Sequence, residues 1–475
     1  MSTRSFLVNG DWRQGEGTFE VTSPYDGSVV AEVGVPTAAD VEDAISAAVS
    51  AFGESRHLPI HARADALDHI SRRCAERVDE VAENIAREGG KPIKWAKIEA
   101  SRAISTFRWA SEVIRHGDDE FMRLDTEAAL GSRVGVIRRF PIGPVLGITP
   151  FNFPVNLVAH KVAPALAAGA PIVIKPARAT PLGSLVLGEI VAETDLPKAM
   201  LQVLPVSSEV AEGMVGDPRF RKVSFTGSSG VGWHLKGIDP KKRFTLELGG
   251  NAGVIVHSDA DLDHAATRIA IGGYYQAGQS CISVQRVLVQ SEVYEDFCSR
   301  LVKQVESLKY GDTLDPTVDV GPVIDAGALE RIAAWVDEAV SQGAEVLTGG
   351  RRHDPFYAPT VLSRTTPEMK VRCEEIFGPV TTVSPYETFD DAVAEVNDSR
   401  YGLQAGVFTN DINRAFQAHR ELEVGGVVIN DMSAFRADQM PYGGSKDSGF
   451  GREGLRYAME EMTEPRIMVV SNVPL

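Results

Sequence analysis

The chain has 475 residues, 43% hydrophobic and 24% charged, enough for about three units of ordinary domain size and with no compositional ground for disorder. Its 48 basic and 65 acidic residues give a net charge of −17. A field of that sign repels nucleic acid and anionic membranes, which excludes both as partners and means that any anionic ligand needs a local basic pocket. Cysteines at 74, 281, 298 and 373 form no CxxC pair and lie too far apart for a disulfide framework, which points to a reducing, cytoplasmic setting. Met1 to Trp12 lacks a basic stretch followed by an apolar run, and no run of about 18 apolar residues occurs to span a membrane.

In residues 61–88, Ala66, Ile70, Cys74, Val78, Val81 and Ile85 recur at steps of three and four, which predicts one long amphipathic helix ending at Gly89-Gly90. Residues 132–139 read as a strand outside the main pattern. Ile172 to Lys175, bounded by Pro171 and Pro176, reads as a short strand, 182–194 as a helix and 222–226 as a strand. That alternation predicts an α/β fold with a parallel sheet covered by helices. Gly227-Ser228-Ser229-Gly230-Val231-Gly232 then opens a helix directly after a strand, presenting free N–H groups and a positive dipole end that suit a pyrophosphate. Its GxxGxG spacing departs from the ordinary dinucleotide fingerprint, and glycine turns also serve purely steric ends. In Phe244-Thr245-Leu246-Glu247-Leu248 the alternation turns Glu247 away from the apolar side. Residues 252–256, 286–290, 401–409 and 424–430 are further strand candidates, a second α/β unit with Cys281 in its first gap. The tail, 464–470, is another outlying strand; paired across subunits, it and 132–139 would cover open edges, which favours an oligomer.

Cys281 lies in Gly278-Gln279-Ser280-Cys281-Ile282-Ser283, 34 positions after Glu247 in Glu247-Leu248-Gly249-Gly250. A thiol can attack an electrophilic carbon and a carboxylate can activate the water that cleaves the adduct, although a lone cysteine is more often a small buried hydrophobe. The wider set of motifs changes that balance. Pro150-Phe151-Asn152-Phe153-Pro154, Ile174-Lys175-Pro176, Phe225-Thr226-Gly227-Ser228, Glu375-Ile376-Phe377-Gly378-Pro379 and Pro441-Tyr442-Gly443-Gly444 occur in order around these two. With them the chain resembles the aldehyde dehydrogenase superfamily over essentially its whole length.

The resemblance implies a Rossmann-type cofactor domain (1–122 and 142–248), an α/β catalytic domain (249–450) and a small β oligomerisation domain (123–141 and 451–475), assembled as a homodimer or homotetramer. It implies Cys281 as nucleophile, Asn152 with the Cys281 backbone N–H as oxyanion donors, and Glu247 as the base that activates water. A helix N-terminus or cofactor charge would help ionise the thiol. Coenzyme-A-acylating relatives generally lack the glutamate, so Glu247 favours the hydrolytic, acid-forming reaction with NAD or NADP. Thr149, Phe151, Lys175, Arg178, Gly227, Ser228, Val231, Leu248, Glu375 and Phe377 are the implied cofactor contacts. Lys161 and Glu453 match a pair that some members use as a proton relay, with a plain salt bridge as the alternative. No metal is implied.

The chain departs from the family pattern in three places. Arg178 stands where NAD-preferring members often carry glutamate, and a guanidinium suits the 2′-phosphate of NADP. His160 replaces a frequent tryptophan and Arg436 precedes Pro441-Tyr442, which makes the substrate tunnel polar. Ser280 occupies the position where relatives that take phosphorylated aldehydes carry arginine. The expected substrate is a short aldehyde with hydroxyls or one negative group, held by Arg436 with His160 and Arg108, although each of these has a structural role as its alternative, Arg108 above all. A catalytically silent relative with a binding role is the alternative; direct hydride transfer without cysteine would instead call for a Tyr-Lys pair or metal ligands beside these motifs.

Overall fold

The computed structural model describes residues 3–117 and 119–473; the outermost ends of the expected domains, and Asp118, lie outside the described residues. An eight-stranded sheet has at its centre the parallel strands Leu201–Val203, Ile172–Lys175, Val145–Ile148, Lys222–Thr226 and Arg243–Glu247, in that spatial order. Chain order reverses between Val145–Ile148 and Lys222–Thr226, a topological switch point of the kind that opens a crevice beyond the strands' carboxyl ends. Antiparallel strands close both margins, Phe6–Val8 with Asp11–Arg13 on one side and Gly449–Phe450 on the other.

A second, seven-stranded sheet runs Glu345–Thr348, Thr360–Ser363, Val380–Tyr386, Val284–Gln290, Ala252–Val256, Gln404–Phe408, Gly426–Ile429. All its pairs are parallel except the first. The two sheets meet end to end: Leu248 to Gly250 leave the first sheet and enter the second two residues later. Loops that precede strands of the second sheet, at Cys281 and Glu375, therefore face loops that follow strands of the first, at Asn152 and Gly227.

Several expected elements take a different form. The helix expected over 61–88 is two, Ile60–Glu76 and Val78–Gly89, broken at Arg77 with φ −106° and ψ 16°. Apolar periodicity survives the break, since both halves bury the same stripe, while the Arg77 side chain leaves it to pair with Glu80 and Glu189. The 401–409 strand divides into Tyr401–Gly402, which pairs with Ser445–Lys446, and Gln404–Phe408 in the second sheet. The two outlying strands, observed as Arg133–Pro141 and Thr463–Ser471, pair antiparallel with each other within one chain, from Thr463 opposite Pro141 to Ser471 opposite Arg133. Glu120–Arg123 completes their sheet on the other side of Arg133–Pro141. The central strand Val145–Ile148 left no legible pattern, because all four residues are buried and Gly147 faces the Ile174 side chain too closely to admit a Cβ.

Two buried carboxylates from the N-terminal helices cap the helices behind the crevice. Glu99, on Ile93–His116, accepts from Val155 N at 3.0 Å and Asn156 N at 3.2 Å, at the start of Asn156–Ala168, and pairs with buried Lys91. Glu88 does the same for Leu182 N at 2.9 Å, and burial pushes its carboxyl up to about 8. A carboxyl oxygen at a helix N-terminus satisfies orphan N–H groups, and one ion-paired as Glu99 is with Lys91 also complements the dipole. Glu99→Ala leaves the Lys91 ammonium buried and unpaired as well as uncapping the helix. It is expected to lower stability by about 3–5 kcal/mol in urea unfolding, against no measurable loss for exposed Glu112→Ala; matching midpoints for the two variants would contradict the capping role.

Candidate active site

A cavity of about 670 Å³ occupies the junction of the two sheets. Asn152, Glu247 and Cys281 all line it, although they are far apart in sequence. Cys281 sits in a turn between the short helical turn Tyr275–Gly278 and the strand Val284–Gln290. Gln276, Ala277 and Gly278 are all left-handed, with φ 53°, 54° and 68°. Two of them carry a Cβ, at a cost of order 1 kcal/mol each. The turn is held against that cost by side-chain bonds: the Gln276 amide donates to the Asn152 carbonyl, and Gln279 Oε1 accepts from Ile324 N at 2.9 Å. Asn152 in turn donates from Nδ2 to the Gln279 carbonyl at 2.9 Å. That bond fixes the amide and leaves its second N–H uncommitted, with Oδ1 unpartnered.

No helix begins at Cys281, so the dipole expected to favour its thiolate is absent. Its sulfur instead lies 3.2 Å from the Tyr442 hydroxyl. Burial pushes the thiol up to about 12, the Tyr442 bond and Arg436 pulling the other way while Glu375 and Glu247 add to the rise.

Glu247 is 2% exposed and neither carboxylate oxygen has a hydrogen-bond partner. Burial, then the Glu453 charge, hold its carboxyl well above the usual range. Glu453 behaves oppositely: burial resists its ionisation, but the Lys161 ammonium and Arg436 guanidinium override that and hold it down at about 2. Lys161 Nζ, fully buried, donates to Glu453 Oε1 at 2.8 Å, Thr226 Oγ1 at 2.8 Å and Ser224 Oγ at 3.0 Å. Lys161 and Glu453 are thus in contact beside Glu247, the arrangement both the relay and the salt-bridge readings require.

The cofactor half of the crevice fits a dinucleotide. Gly227 and Ser228 line the cavity, and Ser228 caps the helix Ser229–Ile238 without using its own side chain, which leaves the first N–H groups free. Val231, 48% exposed, lies in that helix's first turn, and Leu248 packs under Gly232 too closely for a Cβ. Thr149 is buried with an unpartnered hydroxyl. Lys175 is 8% exposed, and burial followed by the nearby Arg178 lowers its pKa. Arg178 is exposed and lies 4.2 Å over the Phe19 ring. Glu375 Oε1 accepts from Gly250 N at 3.0 Å and its carboxylate packs on Gly249; burial pushes it up to about 7. Phe377, at φ 45°, meets Phe151 edge-on at 5.9 Å across the cavity.

The substrate half differs more from expectation. Ser280 and Arg436 line the cavity; Ser280 Oγ accepts from Tyr275 Oη at 3.0 Å. Arg436 bonds Glu453 Oε2 at 3.0 Å and lies 3.9 Å over the Tyr442 ring. His160 and Arg108 are not on the cavity wall. His160 is buried, its Nε2 3.2 Å from Asp438 Oδ1, so it braces the loop that carries Arg436. Arg108 is exposed on the helix Ile93–His116. Arg102, six residues earlier and therefore about 120° around that helix, is the arginine that lines the cavity, held to Asp438 at 2.8 Å. Sequence reasoning missed it because a charge on an amphipathic helix ordinarily marks the solvated face. A smaller recess shares Ile98, Arg102 and Arg436 with the cavity and leads out past Lys97.

A model of the aldehyde dehydrogenase family matches residues 12–468. The 3-sulfolactaldehyde dehydrogenase of Priestia aryabhattai is 41% identical over 465 residues, covering 98% of this chain and 97% of that protein. Among solved structures, aldehyde dehydrogenase 21 from Physcomitrella patens, in complex with the reaction product succinate, superposes with TM-score 0.97 at 42% identity, over 99% of each chain. Glyceraldehyde-3-phosphate dehydrogenase from Methanocaldococcus jannaschii, complexed with NADP, superposes with TM-score 0.92 at 36% identity, over 96% of this chain and 99% of that one. On a match that spans nearly the whole sequence, in a fold whose motifs meet at one cavity, the chain belongs to the aldehyde dehydrogenase family.

Proposed function

We propose that this protein oxidises a short aldehyde bearing hydroxyls or a single negative group to its carboxylic acid, with NAD or NADP as acceptor, through an acyl group carried on Cys281. The observation that carries the reading is one cavity lined by Cys281, Asn152 and Glu247, with Arg102 and Arg436 on its substrate side. Cys281 Sγ attacks the aldehyde carbon, and the resulting oxyanion is taken by the uncommitted N–H of Asn152 with the Cys281 backbone N–H. Losing one such donor typically costs about 3 kcal/mol of transition-state stabilisation. When bound, NAD(P) supplies a hydride acceptor. Lys175 would hold the adenosine ribose, Glu375 the nicotinamide ribose, the Gly227-Ser228 turn the pyrophosphate, and Phe377 and Phe151 would flank the nicotinamide end. Arg178, braced on Phe19, offers a guanidinium to a 2′-phosphate, which supports use of NADP.

The thioester left on Cys281 then needs water and a base. Glu247 suits that step, because burial beside ionised Glu453 raises its proton affinity well above that of an ordinary carboxylate. Lys161 and Glu453 hold a charged, hydrogen-bonded path next to it for the proton. On the substrate side, Arg102 and Arg436 line the cavity, each paired with one carboxylate, Asp438 and Glu453; the guanidinium N–H groups left over from those pairs suit a single anionic group. Ser280 in place of arginine argues against a phosphate dianion. The names of the relatives agree with this class: 3-sulfolactaldehyde carries one sulfonate and a hydroxyl, and succinate is the product of a singly anionic semialdehyde.

Three outcomes are expected. Cys281→Ala abolishes aldehyde-dependent NAD(P)H formation while the protein still binds NAD(P) by fluorescence; retained turnover would end the covalent mechanism. Glu247→Gln gives one burst of NAD(P)H followed by slow turnover with acyl-enzyme visible by mass spectrometry. In the wild type the hydrolysis step quickens as pH rises through the elevated Glu247 pKa, since the ionised form is the base, and the variant loses that limb; an unchanged profile would clear Glu247. Arg102→Leu lowers kcat/KM about tenfold or more for an aldehyde with a terminal carboxylate, relative to an uncharged aldehyde of equal length; equal losses on both would remove the anion-binding role.

A further inference from the structure

One contact at the nucleophile is not used by the reaction scheme: the Tyr442 hydroxyl, 3.2 Å from Cys281 Sγ. The sulfur has little else to favour its ionisation. It lies in a turn, not at a helix N-terminus, and the carboxylates of Glu375 and Glu247 both oppose a second negative charge beside them. Tyr442 is fixed from two sides. Its backbone exchanges hydrogen bonds with Glu453, N to O at 3.0 Å and O from N at 2.7 Å, and its ring lies under the Arg436 guanidinium at 3.9 Å. The side chain is 4% exposed, so water does not compete freely for the hydroxyl. Burial, and then the charges of Cys281 and Glu247, keep the phenol protonated. Against a neutral thiol either group could donate; against a thiolate only the phenol can.

We propose that Tyr442 is a positioning residue for the nucleophile: its hydroxyl donates a hydrogen bond to the Cys281 sulfur, favouring the thiolate and fixing its direction within the cavity. This rests on the reading of Cys281 as nucleophile. No proton passes between the two groups; the phenol keeps its own, and the bond is released as the sulfur becomes a neutral thioether-like atom in the adduct. The neighbouring Glu453 and Arg436 act on Cys281 partly through Tyr442, since both hold its ring and backbone in place.

The test is the pH dependence of Cys281 alkylation by iodoacetamide in wild type and Tyr442→Phe, with the labelled peptide identified by mass spectrometry and Cys281→Ala as the blank. Phenylalanine keeps the ring under Arg436 and removes only the hydroxyl. Below the thiolate midpoint, labelling of Tyr442→Phe is expected to be about tenfold slower at equal pH. The thiolate ultraviolet absorbance, taken as the difference from Cys281→Ala, should shift to higher pH in parallel. Superimposable labelling and absorbance profiles would overturn the proposal, even if the variant melted earlier, because a purely structural tyrosine moves stability and not the ionisation of the sulfur. Both measurements read the sulfur without turnover. A null result therefore leaves aldehyde oxidation standing, whereas activity retained in Cys281→Ala would remove the oxidation mechanism itself.

Discussion

A carboxylate with no hydrogen-bond partner, Glu247, is buried at the end of the first sheet beside a second carboxylate, Glu453. Two such groups cannot both stay ionised in a low-dielectric interior unless cations offset them. Lys161 and Arg436 make hydrogen-bonded ion pairs with Glu453, one to each oxygen, and act on Glu247 only through space. The asymmetry assigns the charge. Glu453 is held ionised, and Glu247 is left with a proton affinity raised above that of an ordinary carboxylate. The cost is a buried polar cluster, in which Ser224 and Thr226 complete the bonding of the Lys161 ammonium from the neighbouring strand.

The cluster also sets the geometry of its surroundings. Arg436 leaves Glu453 to cover Tyr442, and Tyr442 reaches Cys281. Asp438, two residues on, is tied to His160 and Arg102, so the loop with the cavity's arginine is anchored to helices of the first sheet. Catalytic groups proposed from different sheets are thereby held in one rigid neighbourhood. The left-handed turn at Gln276 to Gly278 is the strained counterpart, maintained because Asn152 and Gln279 are bonded across the same junction.

Much of this was legible in the sequence, but unevenly. Strands at 172–175, 222–226 and 252–256 announced themselves as short apolar runs with glycine or proline nearby, and 244–248, observed as Arg243–Glu247, by its alternation. The strand Val145–Ile148 did not, since it is only four residues long, fully buried with no alternation, and interrupted by Gly147. The break at Arg77 was invisible because apolar periodicity continues through it. The motifs pointed to Cys281, Glu247 and Asn152, which share one cavity wall; each lies within three residues of a glycine or proline, the residues that let the backbone turn sharply there. His160 and Arg108 were misplaced for the opposite reason: both sit within helices, where facing depends on packing, and a turn and two thirds separates Arg108 from the arginine that reaches the cavity.

The sequence by itself determined the α/β class, the succession of motifs and the residue types able to do covalent chemistry, because these depend on local backbone rules and on what a thiol, an amide or a carboxylate is. Tertiary structure alone decided which of two glutamates is held ionised, which arginine of the long helix lines the cavity, and that a tyrosine rather than a helix dipole stands next to the cysteine. Those outcomes depend on distances between groups far apart in the chain and on how completely water is excluded around them. Neither quantity is written at any single position.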